Sequence, residues 1–176
     1  MVQKIRMSLK ELLKFTIPLV IGQVGQMLFS IGDTFVAGRY STNALAAIGV
    51  GSAIMAPFIM LGVSSLFSVS SISSRYRGAG ECPSDKSIWG TSLVFMTCLS
   101  LVLTAAVIVF TYNINLLGLN SNIEGDVQTY LYYVAISIFP ALLFQNAKEY
   151  LQSFEKTIFA NSLVIFMNII NIIMNW

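Results

Sequence analysis

The sequence predicts an all-α bundle of helices that cross a membrane, on three observations. Of 176 residues, 56% are hydrophobic and only 10% charged, with a mean hydropathy of +0.76, which leaves too little charge to cover a domain surrounded by water. Five apolar stretches, 15–36, 44–71, 88–110, 127–146 and 157–176, each reach the ~20 residues that a helix needs to cross a ~30 Å hydrocarbon layer. Strands of a membrane barrel run to about half that length and alternate polar with apolar residues; none of the five stretches does so. Third, when the links between stretches are assigned alternately to the two sides, nine of the ten Lys and Arg fall on one side and only Arg39 on the other. By the positive-inside rule the N-terminus is expected in the cytoplasm, with the first, third and fifth spans running outward.

Residues 1–14 read as an amphipathic cytoplasmic lead-in carrying Lys4, Arg6, Lys10 and Lys14. A basic start before an apolar run resembles a secretory signal, but the 22 residues of 15–36 exceed the about 7 to 15 of a signal core. This first span contains Asp33. A carboxylate at membrane depth costs at least about 2.5 kcal/mol on insertion scales and faces a protein interior or a wet path rather than lipid. Gln26 precedes Asp33 by seven residues, two helical turns, with Ser30 between them, so the three share a polar stripe. Gln23, Gln26 and Ser30 are the candidates for a substrate path, and Asp33 for an ion site. The competing role for Asp33 is to hydrogen-bond neighbouring helices.

The second span carries Gly49, Gly51 and Gly62 and ends in the serine-rich run SSLFSVSSISSRYRGAGE. The glycines, like Gly22 in the first span, are expected at close helix contacts. The serine hydroxyls suit either helix packing or the lining of a cavity. Pro18, Pro57 and Pro140 each remove a backbone donor and are candidate kinks, or fixed bends in the packing. The link NINLLGLNSNIEGD, with Glu124 and Asp126 and no cation, belongs on the outer side, and Tyr130, Tyr132 and Tyr133 beyond it are expected in an aromatic belt at that interface. In the fifth span Asn168, Asn171 and Asn175 recur at three and four residues, a stripe along one helical face. Asp33 lies 18 residues beyond Phe15 and Asn175 lies 18 beyond Thr157, so both stand about 27 Å from the cytoplasmic start of their spans.

Other classes are disfavoured. The net charge of +2 without a basic face implies no nucleic-acid partner. The chain has no histidine, and Cys82 and Cys98 lack metal-ligand spacing; two free thiols and no bound cofactor are expected. Neither a nucleophile with its base nor a metal cluster marks an enzyme.

The stretch PLVIGQVGQMLFSIGDTFVAGRYSTNALAAIGVGSAIMAPF, with SSRYRGAGE, YLQSFEKT and NIINIIMNW, resembles the N-terminal part of a multidrug and toxic compound extrusion (MATE) transporter. The most specific pieces are D-T-x-x-A-G-R through A-L-A-A-x-x-x-G, from Asp33 to Gly51, and N-x-x-x-N at Asn171 and Asn175. The resemblance implies five spans of a six-helix N-terminal lobe in a twelve-helix cell-membrane protein. It implies export of small organic, often cationic, compounds in exchange for Na+ or H+ by alternating access. It assigns Asp33 to the coupling-ion site, with Asn171 and Asn175 as the fifth-span pair. An asparagine at 175, where some relatives carry aspartate, resembles the NorM-type branch. Serines stand in the second span where relatives often carry glycines, and the second lobe is absent. The chain is therefore expected to be a fragment whose partner is the C-terminal lobe of the same protein. The alternatives are a lipid-linked oligosaccharide flippase of the same superfamily, which requires a cationic cavity, and a truncated membrane partner that does not transport.

Overall fold

The computed structural model describes residues 9–82 and 87–154, and beyond them positions 159, 161, 162, 164, 166, 170 and 173. Four long helices fill it: α1 (Leu9–Tyr40), α2 (Thr42–Gly78), α3 (Ile88–Tyr112) and α4 (Ser121–Ser153). Each contains one of the first four predicted apolar stretches; α1, α2 and α4 continue past both ends of theirs, and α3 starts with its stretch and runs two residues beyond it. Three of them, α2, α3 and α4, are long and apolar enough to cross a membrane. Phe159, Asn161, Ser162, Val164, Phe166, Ile170 and Ile173 are helical as well; the rest of the predicted fifth span lies outside the described residues.

The helices run longer than their apolar cores because the links supply their own caps. Ser41 alone separates α1 from α2: its backbone is extended and its hydroxyl accepts a hydrogen bond from the Ala44 amide at 2.9 Å, which satisfies one of the open donors of the α2 start. The other end of α2 closes on Gly80, whose φ of +80° lets the Glu81 amide reach the Tyr76 carbonyl at 2.9 Å, a Schellman closure that a β-carbon would strain. The link between α3 and α4 is shorter than the sequence suggested. A single 3-10 turn, Ile114–Leu117, and the left-handed Gly118 lead to Asn120, which caps α4 by accepting from the Asn122 amide at 3.0 Å. Glu124 consequently lies in the first turn of α4, where its charge complements the helix dipole.

Pair contacts fix the directions. Gly51 meets Tyr130, Gly62 meets Leu142 and Arg77 meets Ser153, so α2 and α4 run parallel. Thr104 donates to the Ala135 carbonyl at 3.3 Å and Asn146 to the Ser92 hydroxyl at 3.1 Å, so α3 runs against α4. α2, α3 and α4 therefore alternate in direction, as consecutive membrane crossings must. α4 is the hub, packed on α2 and α3, while α1 lies against α2.

On α1, α2 and α3 small residues are among those turned inward. On α3 the buried positions include Ser92, Ser100 and Thr111, while Val94, Leu101, Val102 and Val109 are exposed. Lipid is as apolar as leucine, so close packing rather than hydrophobic contrast selects the inner face. On α2, a β-carbon added to Gly51 would overlap the Tyr130 ring, and one on Gly62 would stand 2.7 Å from Leu142 and 3.2 Å from Leu103. These two glycines are thus the close contacts expected of them; Gly49 has no neighbour within 4 Å. Tyr130 is drawn into this contact and its hydroxyl lies 3.1 Å from Ser52 Oγ, so it belongs to the helix interface rather than to the predicted belt, whereas Tyr132 and Tyr133 are exposed. Ser64, Ser65 and Ser68 of α2 bond carbonyls of their own helix, Ser65 to Leu61 at 2.7 Å and Ser68 to Ser65 at 2.8 Å. Both α2 and α4 continue as helices through Pro57 and Pro140. Gly62→Val is expected to destabilise the bundle by about 1–3 kcal/mol through overpacking and Gly49→Ala to leave it unchanged or better, as read by thermal unfolding in detergent.

Candidate functional site

The inward stripe of α4 changes chemistry along its length. Val127, Leu131, Ala135, Ile138 and Leu142 are followed on the same face by Gln145, Asn146, Glu149 and Ser153, all buried. Lys148 is buried on the flank of this stripe. Gln145 Nε2 donates to Glu149 Oε1 at 2.7 Å, and the Lys148 charge acts on the same carboxylate. Asn146 ties α4 to Ser92 of α3, and Ser92 in turn donates to the Trp89 carbonyl at 2.9 Å. Arg77 donates to the Ser153 carbonyl and lies over the Phe154 ring, 5.3 Å from its centre, joining the ends of α2 and α4 by a charge-assisted bond and a cation–π contact. Tyr150 packs between Trp89 and Phe154, with ring centres 5.2 and 5.1 Å away. On the far side of α4 from Glu149, a groove of about 520 Å³ opens between Trp89, Gly90, Ala147 and Tyr150. Sequence reasoning placed Lys148 in a link and passed over Gln145, Asn146 and Glu149. The available signal was their spacing of three, four and seven residues from Leu142, which continues the core stripe beyond the apolar run.

The predicted ion site belongs to α1. For Pro18, Gln26, Ser30 and Asp33 the backbone is helical and the side chains lie outside the described set; Asn168, Asn171 and Asn175 lie outside the described residues. The register of α1 is nevertheless defined. Gly22, Gly25 and Ala37 are buried, whereas Val20, Val24, Met27, Ile31 and Phe35 are exposed. At about 100° per residue, the Asp33 position is about 20° around α1 from Gly22 and about 40° from Ala37. It therefore shares the inward stripe, on the opposite side from Met27 and Ile31. Gln23 is exposed, about 100° from Gly22. Cys82 and Cys98 are free thiols.

Removing the Arg77 side chain should loosen the α2–α4 end. Arg77→Ala is expected to cost about 1–2 kcal/mol, from one hydrogen bond and one ring contact, and to speed amide exchange at Ser153 and Phe154, read by hydrogen-exchange mass spectrometry.

Comparison with known proteins agrees with this architecture. The MatE family model matches residues 18–176. The probable multidrug resistance protein NorM of Photorhabdus laumondii subsp. laumondii is 24% identical over 169 residues, 96% of this chain and 37% of that protein. The multidrug resistance protein NorM of Photobacterium profundum is 27% identical over 176 residues, 97% of this chain and 38% of that protein. The multidrug resistance protein MdtK of Edwardsiella ictaluri is 34% identical over 82 residues, 47% of this chain and 18% of that protein. The chain thus spans less than two fifths of the length of the NorM relatives it matches. No solved structure matches it. With its helical, multi-pass architecture and a match over nearly its whole length, the chain belongs to the MatE family.

Proposed function

We propose that this chain forms the coupling-ion side of a multidrug exporter that exchanges organic cations for Na+ or H+ across the cell membrane. What supports this reading is the backbone register of Asp33, the acid of an apolar helix, whose position falls within about 40° of the buried Gly22 and Ala37 around the helix axis. A carboxylate there pays its desolvation only when it is protonated, ion-bound or hydrogen-bonded. Asp33 is the group that loads and releases the coupling ion, and Asn171 and Asn175 supply amide oxygens or donors from a neighbouring span at similar depth.

Loading a proton or a sodium ion cancels the charge on Asp33. An organic cation held by the same field then loses its counter-charge, which makes the two ligands exclusive, as antiport requires. Pro18 lies in the same helix, two to three turns below Gln26 and Ser30, and is where α1 would bend as its charge changes. Gln23, Gln26 and Ser30 remain the candidates for the substrate path. The multidrug-resistance names of the NorM and MdtK relatives favour drug efflux over transfer of a lipid-linked pyrophosphate, which calls for a cationic cavity. They also favour a transporter over an enzyme. In this reading the second lobe comes from the remaining length of the full protein, and transport belongs to that protein.

The test is Asp33→Asn in the full-length protein, reconstituted in vesicles with a fluorescent organic cation and with sodium and proton gradients imposed separately. Gradient-driven efflux is expected to disappear while the protein elutes and melts as the parent does. Efflux at the parental rate would refute the assignment, and the gradient that drives the parent identifies its coupling ion.

A further inference from the structure

We infer that Glu149 is a proton-binding group of this chain, separate from Asp33: once protonated, its carboxyl donates to Asn146 one turn back and so fastens α4 to α3. The inference holds whichever ion drives the exporter, and it uses no part of the Asp33 reading.

The buried end of α4 is short of hydrogen-bond donors. Asn146 gives an amide hydrogen to Ser92 and Gln145 gives one to Glu149 Oε1, while the hydroxyls of Ser92 and Ser153 donate to the carbonyls of Trp89 and Tyr150. Two oxygens are left over: Asn146 Oδ1 and Ser73 Oγ, both fully buried, have no hydrogen-bond partner. Ser73 belongs to the same layer. It follows Gly62 by eleven residues along α2, about 20° around the axis, so it repeats the direction in which Gly62 meets Leu142 and Leu103. Eleven residues on from Leu142 is Ser153, and eleven back from Leu103 is Ser92, the partner of Asn146. Ser73 thus stands at the height of the stretch from Asn146 to Ser153, with Glu149 in its middle. Polar atoms buried without a partner are costly, and folded chains hold few of them.

A carboxylate only accepts hydrogen bonds, whereas a carboxylic acid carries one O–H donor. A proton on Glu149 therefore supplies the donor that this layer lacks. Asn146 is the acceptor within reach: residues three apart on a helix are neighbours, with β-carbons about 5–6 Å apart, and both side chains are buried on the inward stripe. The new bond completes a chain from Glu149 through Asn146 and Ser92 to the Trp89 carbonyl, joining α4 to α3.

Few charged groups face Glu149. Lys148 is buried about 100° around α4 and acts on the carboxylate through its field. Arg77 of α2, half-buried, meets the Ser153 carbonyl and the Phe154 ring, and Arg75 and Tyr76 are exposed. Tyr150 packs on Trp89 and Phe154. From Ile88 to Thr97, α3 carries no ionisable side chain; Asp85, Lys86, Glu155 and Lys156 lie outside the described residues. The two cations favour the carboxylate, but neither meets Asn146 Oδ1, and among the described residues Glu149 accepts a hydrogen bond from Gln145 alone. Burial and the unmet amide oxygen both favour the acid. The layer is therefore firm when the proton is bound and slack when it has left.

The experiment follows the full-length protein in detergent by infrared spectroscopy of its carboxyl groups and by amide hydrogen exchange, as pH is raised. A protonated-carboxyl band is expected that Asp33→Asn retains and Glu149→Gln removes. As the parent loses this band, α4 amides around Asn146 are expected to exchange roughly fivefold faster relative to their intrinsic rates; stability conferred by a proton held in the folded state is present at low pH and lost as pH rises. Glu149→Gln, whose amide donates at every pH, is expected to keep the slow rate throughout. Asn146→Leu, similar in size, is expected to shift the band to that of a carboxyl without an acceptor. A parental band in folded Glu149→Gln, or an unmoved band in Asn146→Leu, overturns the proposal; if Glu149→Gln does not fold, the Asn146→Leu spectrum decides. A parent without the band also overturns it, since a water molecule then supplies Asn146 and Glu149 stays ionised.

Discussion

The closeness of α2 to α4 is the constraint on which the rest of this bundle depends. Between helices that cross a membrane, water offers little help: an apolar side chain gains almost nothing by leaving lipid for protein, so affinity comes from contact distance and from the few polar groups that meet. Gly51 and Gly62 remove the atoms that would hold the two helices apart, and the Tyr130 ring and the Leu142 side chain fill the space left. Once α2 and α4 are locked in parallel, α3 has one groove in which to run the opposite way. Its Ser92, Ser100 and Thr111 enter that groove because they are small.

The polar end of α4 follows from the same geometry. A helix of 33 residues is about 50 Å long, well beyond a ~30 Å hydrocarbon layer, and the inward stripe continues through that excess. Toward the end of the helix the stripe changes from Leu142 to Gln145, Asn146 and Glu149 without leaving the core. Buried charge is tolerated there because it has company: an amide on Glu149, the ammonium of Lys148 beside it, and Arg77 closing the end from α2. Such a layer adds little net stability, since desolvation offsets most of the attraction. It does restrict the ways in which three helix ends can meet, because a sliding helix would strand each of these groups.

α1 is built on a different balance. It presents large apolar side chains outward, and among its described side chains only Gly22, Gly25 and Ala37 are buried. Small residues permit close approach without deep interlocking.

The sequence by itself determined the class, the helices and their order, because a ~30 Å hydrocarbon layer imposes a length on apolar runs and the open backbone groups at their ends demand caps. Gly51 and Gly62 were legible as contact residues, since a glycine within a spanning helix has little other use, and Asp33 was legible because a lone carboxylate among apolar residues is costly wherever it points. Only the tertiary structure decided which face of each helix is inside. The spans are apolar all round, so periodicity carries no contrast between core and lipid. For that reason Tyr130 reads as an interfacial ring until α2 is beside it, and Lys148 and Glu149 read as parts of a polar link until α4 is seen to run on to Ser153. The pairing of Gly22 with Asn161, 139 residues apart in the chain, was out of reach for the same reason: a notch and the side chain that fills it are recognisable only once two helices have been placed against each other.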